Sequence, residues 1–429
     1  GDVAGAMTHA RRVIELAPED DDFMRGAASS LMGLAAWTSG DLETAYRTFS
    51  DGMAHLHKAG YISDVIGGFV TLSDMRLTQG RLREALSNYE RGLQLATQPG
   101  RPALRGAADM HVGISDIYRE RNDLDSAARR LLKSVELGDL NGLPKNPYRW
   151  RVASARILAA RGDIDSALAL LDEAERVYDG DFSPNVRPVA AIRARLWIVA
   201  GRPDEALGWA REQGLSAGDD LSYLREFEHI TLARLLLSQA GTDAAVGSIG
   251  TVLGLLERLR LAAEEGGRMG SVIEILALQS IAHELQGNLP AALSHLERAL
   301  MLAEPEGYAR IFLDEGAGMA HLIAEAAARG IMPAYTDKLS AAFEAGQQAP
   351  AGETTRPAPP ASTPLIEPLS QRELEILRLF KTELSGPEIA QELVIALSTV
   401  RTHTKSIYSK LNVNSRRAAV GRAVELGLI

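Results

Sequence analysis

Cysteine is absent from the 429 residues. That absence excludes disulfides, thiolate zinc sites, iron–sulfur clusters and cysteine nucleophiles together, and it fits a reducing cytoplasm. Aromatic residues are scarce at 5%, yet 46% hydrophobic residues can bury a core and exclude wholesale disorder. No apolar run approaches the roughly 18–20 residues of a membrane span, and the first residues do not read as a signal peptide. Positive charge is also short. The net charge of −10 argues, on its face, against nucleic acid as a partner.

Catalytic patterns are missing as well. No Gly-Lys dipeptide occurs, so no Walker A phosphate loop lies in this chain. His283-Glu284 lacks a second His four positions after the first, so the zinc-protease motif fails. His55 and His57, two apart on a helix, face different ways and read as surface residues. Asp20-Asp21-Asp22 reads as an anionic helix start rather than a cation site. Dispersed Ser, His and Asp form no nucleophile elbow. No enzyme activity, catalytic residue, metal or cofactor is expected within these residues.

What is present is a repeat. Gly or Asn, a polar residue, three more and then Ala recur as Gly40-Asp41-Leu42-Glu43-Thr44-Ala45 and Gly80-Arg81-Leu82-Arg83-Glu84-Ala85. The pattern returns at Asn122–Ala127, Gly162–Ala167, Gly201–Ala206 and Gly287–Ala292, weakly at Gly241. Intervals from 40 to 241 are 40, 42, 40, 39 and 40 residues. Physically this is the elbow of a helical hairpin. Gly supplies the left-handed backbone that ends one helix, Asp or Asn caps the next, and Ala lets the two approach. Phe49, Tyr89 and Leu171 continue the inward face four residues on. Stacked hairpins make a right-handed superhelix with a concave binding face. Trp37, Tyr89, Tyr118, Trp150, Trp197 and Tyr223 are either its groove or its core.

The series resembles tetratricopeptide repeats (TPR) in a variant of about 40 residues, over roughly residues 1–305. Gly1-Asp2-Val3-Ala4-Gly5-Ala6 is itself an elbow, one period before Gly40. The chain is therefore expected to start inside a hairpin, as the C-terminal fragment of a longer polypeptide; a capping helix is the alternative.

Six of the 18 prolines fall within residues 347–368, so this stretch is expected to be a non-helical tether. Expected boundaries are 1–346 for the repeats, 347–366 for the linker and 367–429 for a different domain. In that last part Ser370-Gln371-Arg372-Glu373 and Ser385-Gly386-Pro387-Glu388 are capping boxes. A helix to Leu393, a helix with Leu397, Val400, Ile407 and Leu411 on one face, a break at Asn412–Ser415 and a last Ala-rich helix complete it. Four helices with a short turn before the third describe a helix-turn-helix. Residues 367–429 hold nine Lys and Arg against seven Asp and Glu, and 393–429 hold six against one. The tail thus carries +2 with a +5 end, against −12 for the rest.

Leu369–Glu373, Glu388-Ile389-Ala390, Thr399–His403, Ile407–Leu411 and Ser415-Arg416 together resemble the LuxR-type DNA-binding domain. Ala303–Gly316 (AEPEGYARIFLDEG) resembles the segment ending the repeat domain of MalT-like large ATP-binding (STAND) regulators. The resemblance implies an all-α architecture, a TPR-like α-solenoid followed by a four-helix LuxR-type domain, in a bacterial transcription regulator. It also implies an upstream nucleoside triphosphatase module that would hold ATP. Implied partners are double-stranded DNA, bound as a homo-oligomer, RNA polymerase, and a small-molecule inducer or regulatory protein on the repeats. The rival expectation is a protein-binding scaffold whose helical tail does not read DNA. Two departures concern helix ends: Glu383 where the family has Gly, and Ala396 where it commonly has a capping Ser.

With Leu397, Val400, Ile407 and Leu411 inward, Thr399, Arg401, Thr402, Lys405 and Ser409 lie on or beside the opposite face. Arg401 and Lys405 suit guanine O6 and N7, and Thr402 a thymine methyl. The resemblance places Arg401, Thr402 and Lys405 at the bases, with Thr399 beside them; a solvated basic face is the bland alternative. Ser385, Lys410 and Arg416 are expected at phosphates, or else as ordinary surface groups. His403 is expected to pack. Ala419, Ala423 and Leu426 are either core or a dimer seam.

Overall fold

The structure is a computed structural model in which residues 3–138, 141–180, 183–240, 246–348, 369–382, 384–393, 397–411, 413, 416–425 and 428 are described. Every regular element among them is a helix. The chain divides into two compact units, Gly1–Ala349 and Pro350–Ile429. Among the described residues no helix is long and apolar enough to cross a membrane.

In the first unit consecutive helices pack in pairs. Asp22–Ser39 lies on Leu42–Lys58, Ile62–Thr78 on Leu82–Ala96, Ala107–Glu120 on Leu124–Leu137, and Asn146–Ala160 on Ile164–Arg176. The pairing recurs at Val189–Val199 with Pro203–Glu212 and at Met269–Leu285 with Leu289–Ala303. The result is an α-solenoid.

The elbow chemistry explains the pairing. Gly40, Gly80, Gly162, Gly201 and Gly287 all have φ between 69° and 89°, and Asn122 takes the same left-handed turn at 62°. After the turn, Asp41 accepts from Thr44 N at 3.2 Å, Asp123 from Ser126 N at 3.0 Å, Asp163 from Ser166 N at 3.1 Å and Asn288 from Ala291 N at 3.3 Å. Arg81 and Arg202 stand at the same place without a side-chain cap; the second is followed by Pro203 at the helix start. Ala45, Ala85, Ala127, Ala167, Ala206 and Ala292 are fully buried, as the close helix approach requires. Phe49, Tyr89 and Leu171 are buried beside them. The elbows at Gly1 and Gly241 lie outside the described residues. Asp21 caps the helix from Asp22 by accepting from Met24 N at 3.0 Å, while Asp22 pairs with His55 at 2.6 Å.

Trp37 and Tyr89 belong to the core, whereas Tyr118, Trp150, Trp197 and Tyr223 are half-buried. Helix Pro333–Gln348 ends this unit, two residues into the stretch expected to be linker. Residues 349–368 lie outside the described residues.

The second unit has four short helices, Gln371–Leu379, Gly386–Glu392, Leu397–Lys410 and Arg416–Glu425. One apolar cluster joins them: Leu369, Ile376, Leu377, Phe380, Ile389, Ala390, Val400, Ile407, Leu411, Ala419 and Ala423. Ala419 and Ala423 are therefore core in this unit, not a free seam. Leu426, Glu383, Ala396, Asn412 and Ser415 lie outside the described residues.

Candidate nucleic-acid interface

The third tail helix, Leu397–Lys410, is held by its apolar face. Val400, Ile407 and Leu411 are buried against the first helix, Gln371–Leu379, and the second, Gly386–Glu392. Thr402 and Lys405, one turn apart on another face, are exposed, and Thr399 is half-exposed. Lys405 forms no ion pair among the described residues. Arg401 lies within this helix, but its side chain and that of Ser409 lie outside the described ones. His403 is half-buried, in keeping with packing.

Roll and register of this helix are fixed by one carboxylate. Glu373 accepts from Ser370 N at 2.7 Å, closing the capping box of the first helix, and also from Ser406 Oγ and from Lys410 Nζ at 2.9 Å. Ser406 and Lys410 are four apart, so Glu373 grips two successive turns. Burial pushes the Glu373 carboxyl up, but Ser406, the Ser370 amide and Lys410 outweigh it and hold it below the ordinary Glu range. The capping box was legible in sequence. The second use of its carboxylate was not.

Three groups expected at phosphates have internal partners. Lys410 is spent on Glu373. Arg416 donates to four carbonyls: Phe380 O at 3.1 Å, Leu379 O at 3.0 Å, Thr382 O at 2.8 Å, and Leu384 O. These lie at and just beyond the end of the first helix, where carbonyls lack helical donors. Ser385 donates its amide at 2.7 Å and its hydroxyl at 2.6 Å to Glu388, its own capping-box partner. A phosphate would have to compete for each. Arg372 Nη2, donating to Leu393 O at 2.8 Å, ties the first helix to the end of the second.

Elsewhere among the described residues no group of three or more His, Asp or Glu is placed to hold a metal. His283 lies tilted against His295 with ring centroids 4.8 Å apart, and burial, then His295, holds its pKa below the ordinary His value.

A four-helix unit with a clamped third helix follows an α-solenoid, and the family matches of both parts are those of a DNA-binding transcription regulator. The chain belongs to the family of the MalT-like TPR region, whose model matches residues 1–329, and residues 367–423 match that of bacterial regulatory proteins of the luxR family. Among solved structures, the crystal structure of the P58(IPK) TPR domain is 14% identical, covering 81% of this chain and 94% of that chain at a TM-score of 0.22.

Proposed function

We propose that this chain is an inducible activator: the helical repeats bind an inducer or regulatory protein, and the tail reads a specific DNA site in the cytoplasm. The observation carrying the DNA half is the third tail helix, which buries Val400, Ile407 and Leu411 while exposing Thr402 and Lys405. Arg401, Thr402 and Lys405 are the proposed base readers, with Thr399 beside them. Donors at i and i+4 fit a guanine edge in the major groove. Because Ser385, Lys410 and Arg416 are internally engaged, base-facing and neighbouring groups carry more of the affinity in this proposal.

An oligomer on adjacent sites would raise effective concentration at DNA and so strengthen a modest single contact. Contact with RNA polymerase and ATP on an upstream module are proposed from the family alone. The test is binding of the full chain to DNA selected from a random library. Arg401→Ala and Lys405→Ala should each weaken binding to the selected site by about 1–3 kcal/mol and relax base preference. Equal loss on selected and random DNA would remove these residues as readers. No preference of the parent chain for any sequence would favour a scaffold instead.

A further inference from the structure

Solenoid repeats touch only their neighbours, so contacts between distant repeats call for an explanation. Such contacts gather on Ala303–Gly316, the segment that neither the repeat pattern nor DNA reading uses. Glu306 Oε2 accepts from Arg83 N at 2.8 Å, and Glu306 O from Arg121 Nε at 3.4 Å. Ala309 N donates to Glu120 O at 2.9 Å, and Arg310 donates to Asn122 Oδ1 at 3.3 Å. Asp314 pairs with Arg119 and with Arg310. Glu315 pairs with Arg234, whose other nitrogen lies 2.8 Å from Glu274. Phe312 is fully buried beneath them.

The seam extends beyond the segment. Trp37 Nε1 donates to Tyr223 OH at 2.9 Å. Gly80 and Gly270 meet so closely that a Cβ on Gly80 would lie 2.6 Å from Gly270 N. The ties Trp37–Tyr223, Arg83–Glu306, Arg119–Asp314, Arg121–Glu306 and Asn122–Arg310 join residues 185 to 223 positions apart, about five repeats.

We infer that Ala303–Gly316 is a clasp that closes the solenoid on itself and can open without unfolding any repeat. Tyr308, Ala309 and Phe312 share one apolar cluster with Met110, Ile114 and Ile117, and the ties around them are hydrogen bonds and ion pairs between helices of different hairpins. Opening therefore leaves every helical hairpin intact, which is the condition for a two-state rigid-body switch. Arg119 Nε, Arg234 Nε, Arg310 Nε and Glu120 Oε1 are buried without a partner in the protein. Water reaching them on opening offsets part of the broken pairing. Closed, the segment packs on helices Ala107–Glu120 and Met269–Leu285; open, the surfaces it covers there face solvent. The clasp stands on these contacts and holds whatever the repeats bind.

The absence of cysteine makes the test clean. Ser39→Cys and Leu224→Cys, at exposed positions flanking the Trp37–Tyr223 contact, carry the only two spin labels on the full chain. Pulsed electron resonance should give one short, narrow distance in the parent. Asp314→Asn with Glu315→Gln, nearly isosteric and uncharged, should add a longer, broader distance while far-ultraviolet dichroism stays unchanged. Glu306→Gln, at the half-buried rim, should add a smaller share of the same long distance, and it alone decides the matter if the double variant does not fold. Distances unchanged from the parent would overturn the clasp. Lengthening seen only together with reduced helicity would overturn it too, because the segment would then be ordinary core.

Discussion

Lys410 and Glu373 meet 2.9 Å apart inside the tail unit, with side chains only 11% and 4% exposed. The pair joins the first tail helix to the last turn of the third, so it sets which way the exposed face of the third helix points. Removing one member of a buried pair leaves the other charge uncompensated, which costs about 3–5 kcal/mol. Ser406 and the Ser370 amide still solvate Glu373, so Lys410→Met should cost nearer the lower figure, read from urea unfolding of the tail. The salt dependence of DNA binding separates this role from phosphate binding. If Lys410 is structural, its substitution leaves the slope of log affinity against log salt unchanged. If it neutralises a phosphate, the substitution reduces that slope by about one.

The same carboxylate fixes an acid limit. Because the folded Glu373 pKa lies below its unfolded value, its contribution is fully present above about pH 4.3 and is lost as pH falls through the folded value. Glu373→Gln should remove that part of the acid transition of the tail while keeping helix one, since Gln also completes a capping box. An unchanged acid midpoint would show that other carboxylates control it.

Arg416 gives a third prediction from the same unit. Its guanidinium serves four carbonyls and stacks on Phe380 with Cζ 5.2 Å from the ring centroid. Lys has one point charge where this site uses a planar fork. Arg416→Lys should therefore destabilise the tail by about 2 kcal/mol, the scale of losing charged hydrogen bonds. Retained stability with weakened DNA binding would instead place Arg416 at the nucleic acid.

How much was legible follows from the range of each interaction. The elbows could be read because a left-handed glycine, an Asp cap and a small Ala act within a few residues; even Asn122 fell into place by this local rule. Both capping boxes were legible for the same reason. The partners of Arg119, Trp37 and Arg83 were not, since they lie 195, 186 and 223 positions away and no local pattern encodes them. Lys410 and Arg416 illustrate the same limit in the tail: both are basic and at or just after the end of the third helix, yet which way they turn depends on Glu373 and on the carbonyls of Leu379, Phe380, Thr382 and Leu384.

Gly113 tests the packing between neighbouring repeats. A Cβ at this position would sit 2.1 Å from Cζ of the fully buried Tyr89. Tyr89 cannot yield easily: its hydroxyl donates to Asp74 Oδ1 at 2.8 Å, and Arg149 Nη1 holds the other Asp74 oxygen at 2.6 Å. Ala would gain about 1 kcal/mol of helix propensity, but overpacking a filled core costs about 1–3 kcal/mol or more, and here it also strains the half-buried Arg149–Asp74 ion pair. Gly113→Ala should lower solenoid stability by about 2 kcal/mol net in thermal unfolding, and Tyr89→Leu in the same chain should recover part of the loss. Independent, additive losses would mean that the two positions do not collide.

His111 supplies a pH dependence of opposite chemistry to Glu373 but the same sign. Burial first, then the neighbouring Arg130 and Lys133, lowers its pKa to about 4, with Glu136 opposing them only weakly. Arg130 Nη1 lies 3.4 Å from His111 Nδ1, which suits a neutral ring that accepts a hydrogen bond. The unfolded chain takes up its proton near pH 6.5, well before the folded one. Unfolded protein therefore binds more protons between about pH 6.5 and 4, and the solenoid loses stability as pH falls through that window. His283, lowered in the same direction, adds to the effect. His111→Gln keeps an acceptor for Arg130 and cannot titrate, so the slope of unfolding midpoint against pH should flatten between pH 6.5 and 4 without vanishing. A slope equal to that of the parent would show His111 to be protonated in the folded solenoid.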